Sequence, residues 1–149
     1  MNRLIFFLLF FILSSFSGYE PIFSDKKNNF GFERIDLEGD NQIGENIKKR
    51  LLLKSSGEKK YSIFIKSKKN KETISSNSKG DPSVFRLKIK SEYLLSKEQK
   101  VILKNTIFKE VTYNNINDKF ELLKYEENIT DIISENIADE ILISVTSSE

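Results

Sequence analysis

Residue pairs with the spacing of catalytic or ligating groups occur in this chain, but each is incomplete. Ser-x-x-Lys, the spacing at which a lysine could activate a serine nucleophile, appears at Ser24/Lys27, Ser56/Lys59 and Ser76/Lys79. All three fall in polar segments of a Ser- and Lys-rich chain, so coincidence explains them. Asp36-x-Glu38-x-Asp40 begins like a calcium loop, yet Asn41 replaces the required glycine and Ile47 the bidentate glutamate. Asn128-Ile129-Thr130 fits a glycosylation sequon but sits inside a helical pattern. The sequence contains no His and no Cys, which removes imidazole bases, thiol nucleophiles, His/Cys zinc sites and disulfides together. No Gly-rich phosphate loop is present either. The expectation is a protein that is not an enzyme and needs no cofactor or metal.

A second kind of chemistry, binding without reaction, has more support. Three segments alternate with period two: Tyr61, Ile63 and Ile65; Phe85, Leu87 and Ile89; then Val101, Leu103, Ile107, Val111 and Tyr113. Such alternation predicts strands with these residues facing inward. The even-numbered residues then share the other face: Phe64, Lys66 and Lys68; Arg86, Lys88 and Lys90; Ile102, Lys104, Thr106 and Phe108. Cations interleaved with apolar groups suit a ligand bearing both phosphates and acyl chains. Lys66, Lys68, Arg86, Lys88, Lys90 and Lys104 are therefore the candidate anion-binding residues. The plain reading is a solvated face in a chain whose 24 basic residues include 20 lysines. With 22 acidic residues in balance, the net charge of +2 does not indicate a nucleic-acid binder.

The elements that would hold this face follow from the same patterns. A short strand is expected over Phe32 to Glu38, ended by Gly39-Asp40-Asn41. Ile43, Ile47 and Leu51 mark a helix over Gln42 to Lys54, with Gly57 as its C′ residue. Asn70 to Ser83 reads as a loop around Lys79-Gly80-Asp81-Pro82, and Ser96 to Gln99 as a hairpin turn. Asp118, with Glu121 three residues on, caps a long helix whose apolar stripe runs through Leu122, Tyr125, Ile129, Ile132, Ile133, Ile137, Ile141 and Val145. One stripe per helix predicts an α/β two-layer sandwich of order β-α-β-β-β-α, with two helices packed on one face of a four-stranded sheet.

Upstream of this unit, Arg3 precedes Leu4 to Leu13, an apolar run of ten residues that matches a signal-peptide core and is short for a membrane span. Ser15-Phe16-Ser17 places small residues for cleavage after Ser17, leaving Gly18 first; retention as an anchor is the alternative. The expected organisation is a signal peptide over 1–17, an extended lead-in over 18–31 and a single domain over 32–149.

Gly18-Tyr19-Glu20-Pro21-Ile22-Phe23 resembles the start of the mature chain in the LPS-assembly lipoprotein family LptE, and the order of elements is similar throughout. In that family the first mature residue is a lipidated Cys; here Ser17 stands at its position, so lipidation by that route is chemically impossible. The resemblance implies a non-enzymatic protein on the periplasmic side of the outer membrane. It further implies a plug and assembly partner of an LptD-like outer-membrane β-barrel that binds lipopolysaccharide during insertion. The cationic positions above come from strand alternation and not from the family. A periplasmic binding module for another anionic polymer, with no barrel partner, is the competing expectation.

Overall fold

The computed structural model describes residues 28–147; the expected signal peptide, its cleavage site and Ser17 lie outside them. Strand β1 (Asn28–Gly39) leads into helix α1 (Asn41–Lys54), followed by β2 (Ser55–Ser76), β3 (Pro82–Lys97), β4 (Lys100–Asn114) and helix α2 (Lys119–Thr146). The strands form one sheet in the order β1-β2-β3-β4. Neighbours β1 and β2 are parallel, while the β2–β3 and β3–β4 pairs are antiparallel. Parallel neighbours need a crossover, and α1 supplies it. The expected β-α-β-β-β-α sandwich is the observed fold.

Both helices pack on the odd-numbered face. Ile43, Ile47 and Leu51 of α1 and Ile137, Ile141 and Val145 of α2 join Ile63, Ile65, Leu87, Ile89, Tyr93 and Leu95 in one core. Each such aliphatic side chain, fully withdrawn from water, contributes about 1.5–3 kcal/mol. Polar contacts fix the two helices side by side. Arg50 donates to both carboxylate oxygens of Asp139 at 2.9 Å, and Asp131 accepts from Gln42 and Asn46 at 2.9 and 2.6 Å. Both helix starts are capped, the second as expected: Asp40 accepts from the Ile43 N–H, and Asp118 from the N–H groups of Phe120 and Glu121.

Several boundaries differ from those expected, each for a physical reason. Strand β1 starts at Asn28, so the end of the expected lead-in is sheet. Gly57 does not end α1. That helix stops at Ser55, whose backbone is extended and whose Oγ donates to the Leu51 carbonyl at 2.6 Å. Gly57 lies in β2, where a Cβ would come within 2.1 Å of the Asn29 carbonyl carbon, so its role is close strand approach. Asn70 to Ser76 belong to β2 and not to a loop: Lys71 and Thr73, their inward positions, are polar but pair in register with Leu87 and Phe85 of β3. The Glu98-Gln99 turn is closed by positive φ angles of 50° and 67°. A bulge between the Leu95 and Ser96 pairings sets Val101 opposite the outward-facing Ser96, leaving it 54% exposed. On α2, Ile132 is 59% exposed, while Thr130 and Ser134 take the buried positions.

The junction of β1 and α1 is held by a tight contact. Gly39 has φ +95°, and the next residue, Asp40, donates its N–H to the Ser67 carbonyl at 2.9 Å. A Cβ at Gly39 would lie 2.1 Å from that same oxygen, whereas one at Gly80 (φ +88°) would meet nothing within 4 Å. Gly39→Ala is predicted to cost about 3 kcal/mol or more in urea unfolding, and Gly80→Ala only about 1 kcal/mol. Equal losses would show that the contact does not matter.

Candidate functional site

The even-numbered face carries no helix, and its residues lie in cross-strand rows. Phe64 pairs with Leu94, and Leu94 with Lys104; Lys66 pairs with Glu92, and Glu92 with Thr106. Lys68 stands opposite Lys90, which stands opposite Phe108. Below them, Asn70, Lys88 and Glu110 form one row, and Glu72, Arg86 and Thr112 the next. All six cations expected on this face are on it. Of the apolar groups among them, Phe108 is open to solvent at 54% exposed, while Phe64 and Leu94 are half-buried; Ile102, expected on this face, is the unpaired residue of the β4 bulge.

Sequence reasoning missed the acidic residues of the same face. Glu38 pairs with Lys66, Glu72 accepts from Lys88 in an ion pair of 2.7 Å, and Glu92 accepts from Lys90 at 2.6 Å. Glu38 and Glu92 sit at even positions of recognised strands, so alternation alone could have placed them. Glu72 was hidden by the reading of Asn70 to Ser83 as a loop. Hydrogen bonding from Lys88 holds Glu72 below its ordinary pKa, with Arg86 adding to the effect. Glu92 is lowered in the same way by its hydrogen bond from Lys90, then by the nearby charges of Lys66 and Lys104. The hydrogen bond to Glu38 raises Lys66.

The six cations therefore divide into two groups. Lys66, Lys88 and Lys90 have carboxylate partners, and Arg86 lies in the field of Glu72 with its Nε buried and unpaired. Lys68 and Lys104 make no ion pair among the described residues. Lys68 faces the like charge of Lys90 directly, and Lys104 lies beside Leu94 in the field of Glu92. Lys68, without a counter-ion, and Lys104, which shares Glu92 with two other lysines, give this part of the face cations bordered by exposed Phe108 and the Phe64–Leu94 pair.

Two grooves lie at opposite ends of the sheet. One, of about 670 Å³, is bordered by Phe85, Ile116, Leu122, Leu123, Lys71 and Glu126. Its central charges are committed to each other: Lys71 pairs with Glu126 and lies 4.0 Å from the Phe85 ring centre, and Tyr113 donates to Glu126 at 2.8 Å. Burial, followed by the Glu126 contact, raises the Tyr113 pKa. The other, of about 600 Å³, mixes Glu33, Arg34, Glu58, Lys60 and Glu98 without an apolar wall. No cluster of three or more metal-ligating side chains occurs among the described residues, and none of their helices is long and apolar enough to cross a membrane.

No protein-family model and no curated protein matches the chain. Solved structures do. A lipoprotein B from Nitrosomonas europaea, determined by NMR in solution, superposes with a TM-score of 0.65 at 13% identity, over 87% of this chain and 91% of that one. The rare lipoprotein B of Shewanella oneidensis gives 0.59 at 15% identity, over 77% and 95%. A minor lipoprotein of Acinetobacter baumannii gives 0.57 at 12% identity, over 79% and 93%. At these identities the likeness is one of fold.

The depressed carboxylates make a pH prediction. A group whose folded pKa lies below its unfolded value stabilises the fold above the unfolded pKa, and that contribution disappears as pH falls through the folded value. Melting temperature is therefore expected to drop as pH falls below about 4.3, the unperturbed glutamate value. In Glu72→Gln/Glu92→Gln the drop should be shallower. An unchanged acid limb in thermal melts would remove these two pairs from the account.

Proposed function

We propose that this chain is an exported LPS-assembly protein of the LptE type, acting as plug and assembly partner of an LptD-like β-barrel on the periplasmic side of the outer membrane. In this reading it is not an enzyme; it holds lipopolysaccharide on its outer sheet face during transfer into the outer leaflet. The observation that carries the proposal is that open face, where Lys68 has no ion pair and Lys104 only the shared field of Glu92, with exposed Phe108 on the same face. Phosphates of the lipid A head would sit on the lysines and acyl chains along the Phe64–Leu94 row. The Gly18 to Phe23 motif and a fold shared with three bacterial lipoproteins support the reading.

Ser17 in place of the lipidated Cys alters anchoring more than partnership. A plug enclosed by a barrel can be retained through the protein interface without a lipid anchor. The ion pairs on the face do not block binding. Solvent-exposed pairs are worth about 0–1 kcal/mol each, so phosphates can compete for Lys66, Lys88 and Lys90 at small cost.

The proposal has two tests. Affinity capture of the chain from its own outer membrane should bring down a large β-barrel at near-equal stoichiometry; a chain recovered alone would contradict the partnership. In equilibrium binding to lipopolysaccharide, Lys68→Glu is expected to weaken affinity about tenfold, equivalent to one charge-assisted contact. Equal affinity for lipopolysaccharide and for a delipidated polyanion would favour the anionic-polymer module instead.

A further inference from the structure

Strand β4 forms one edge of the sheet, with β3 its sole strand neighbour among the described residues. Edge strands expose unpaired N–H and C=O groups and are commonly short or shielded. This one runs for 15 residues and carries Ile102 and Phe108, 44% and 54% exposed. The Thr106 N–H is met only locally, by the Asn105 side-chain oxygen at 2.8 Å. In an antiparallel strand alternate residues direct both backbone groups to the same side. The even-numbered residues from Lys104 to Thr112 thus present theirs to the free edge.

Two opposite charges on this strand lack ion pairs among the described residues: Lys104 and Glu110, both on the outer face. They lie about 20 Å apart along the strand and cannot meet within one chain. A two-fold axis at Ile107 would place them opposite one another twice. Ile107 is also the midpoint of Lys100–Asn114, so this register gives the fullest overlap. It sets Leu103 opposite Val111, Thr106 opposite Phe108, and Ile107 opposite itself, with inward residues matched to inward and outward to outward from Leu103 to Val111, the span clear of the bulge at Val101. Shifting the axis by one residue leaves Lys104 facing Phe108 or Thr112 and forfeits both charge pairs.

We propose that β4 pairs antiparallel with β4 of a second copy of this chain about an axis at Ile107, forming a continuous eight-stranded sheet. The even-numbered residues exchange the ladder hydrogen bonds, the Asn105 side chain releases the Thr106 N–H, and the two outer faces become one surface. This inference does not depend on what that surface binds, and it describes the chain outside a barrel, since enclosure as a plug and β4–β4 pairing are alternative states of the same edge.

Sedimentation equilibrium of the full chain in a mild detergent tests it. The wild type should dimerise. Lys104→Glu and Glu110→Lys, both at exposed positions, should each weaken dimerisation at least about tenfold, because two attractive pairs become repulsive. The double reversal Lys104→Glu/Glu110→Lys should restore it. As an independent reading, Ile107→Cys introduces the sole thiol of the chain. At a non-hydrogen-bonded pair on the axis it should oxidise to a disulfide-linked dimer. A wild type that stays monomeric at high micromolar concentration would overturn the proposal. So would a dimer indifferent to both charge reversals.

Discussion

Because β1 and β2 run parallel, the chain must cross from the end of one to the start of the other, and α1 makes that crossing on one side of the sheet. Most other features follow from this constraint. Once α1 occupies the odd-numbered face, α2 can bury its apolar stripe only beside it, where Arg50 and Asp139, and Asp131 with Gln42 and Asn46, align the two helices. Small buried side chains allow the layers to approach, as where Ser67 and Ser91 share a hydrogen bond of 2.8 Å beneath the helices. The even-numbered face is then left without cover, and its composition determines what the protein can bind.

That face is neither a basic patch nor a hydrophobic one. Glutamates neutralise three of its lysines, yet every pair is reached by solvent and is individually weak. Such a surface has a low net field but many cations that can change partner. A multiply charged ligand gains from several exchanges at once, while an ordinary counter-ion gains from none. Exposed Phe108 and the Phe64–Leu94 row would add, for a ligand with acyl chains, a contribution insensitive to salt. A ligand combining both features is favoured over one with either alone.

Period-two alternation made the sandwich and its outer cations legible, since Tyr61, Ile63 and Ile65, and Phe85, Leu87 and Ile89, leave little choice of face. The pattern failed where inward positions are polar. Lys69 and Lys71 point to the helix side and pair there with Asp40 and Glu126, so β2 loses its apolar signal while continuing as strand. Val101 was misplaced because a bulge inverts parity, and nothing in Val101-Ile102-Leu103 announces an extra residue. Gly57 fits a helix C′ position equally well in sequence; the competing requirement, contact with the β1 backbone, is a tertiary one. The Glu72–Lys88 pair, sixteen positions apart, needs the β2–β3 register and is invisible without it.

Lysine footprinting tests the assignment of the outer face most directly. The chain would be labelled with a lysine-reactive reagent, with and without lipopolysaccharide, and each site read by mass spectrometry. The account predicts protection at Lys68, Lys90 and Lys104, and none at Lys49 and Lys124, which are exposed on the helical layer. Protection confined to the helix lysines, with Lys68 and Lys104 labelled as before, would contradict it.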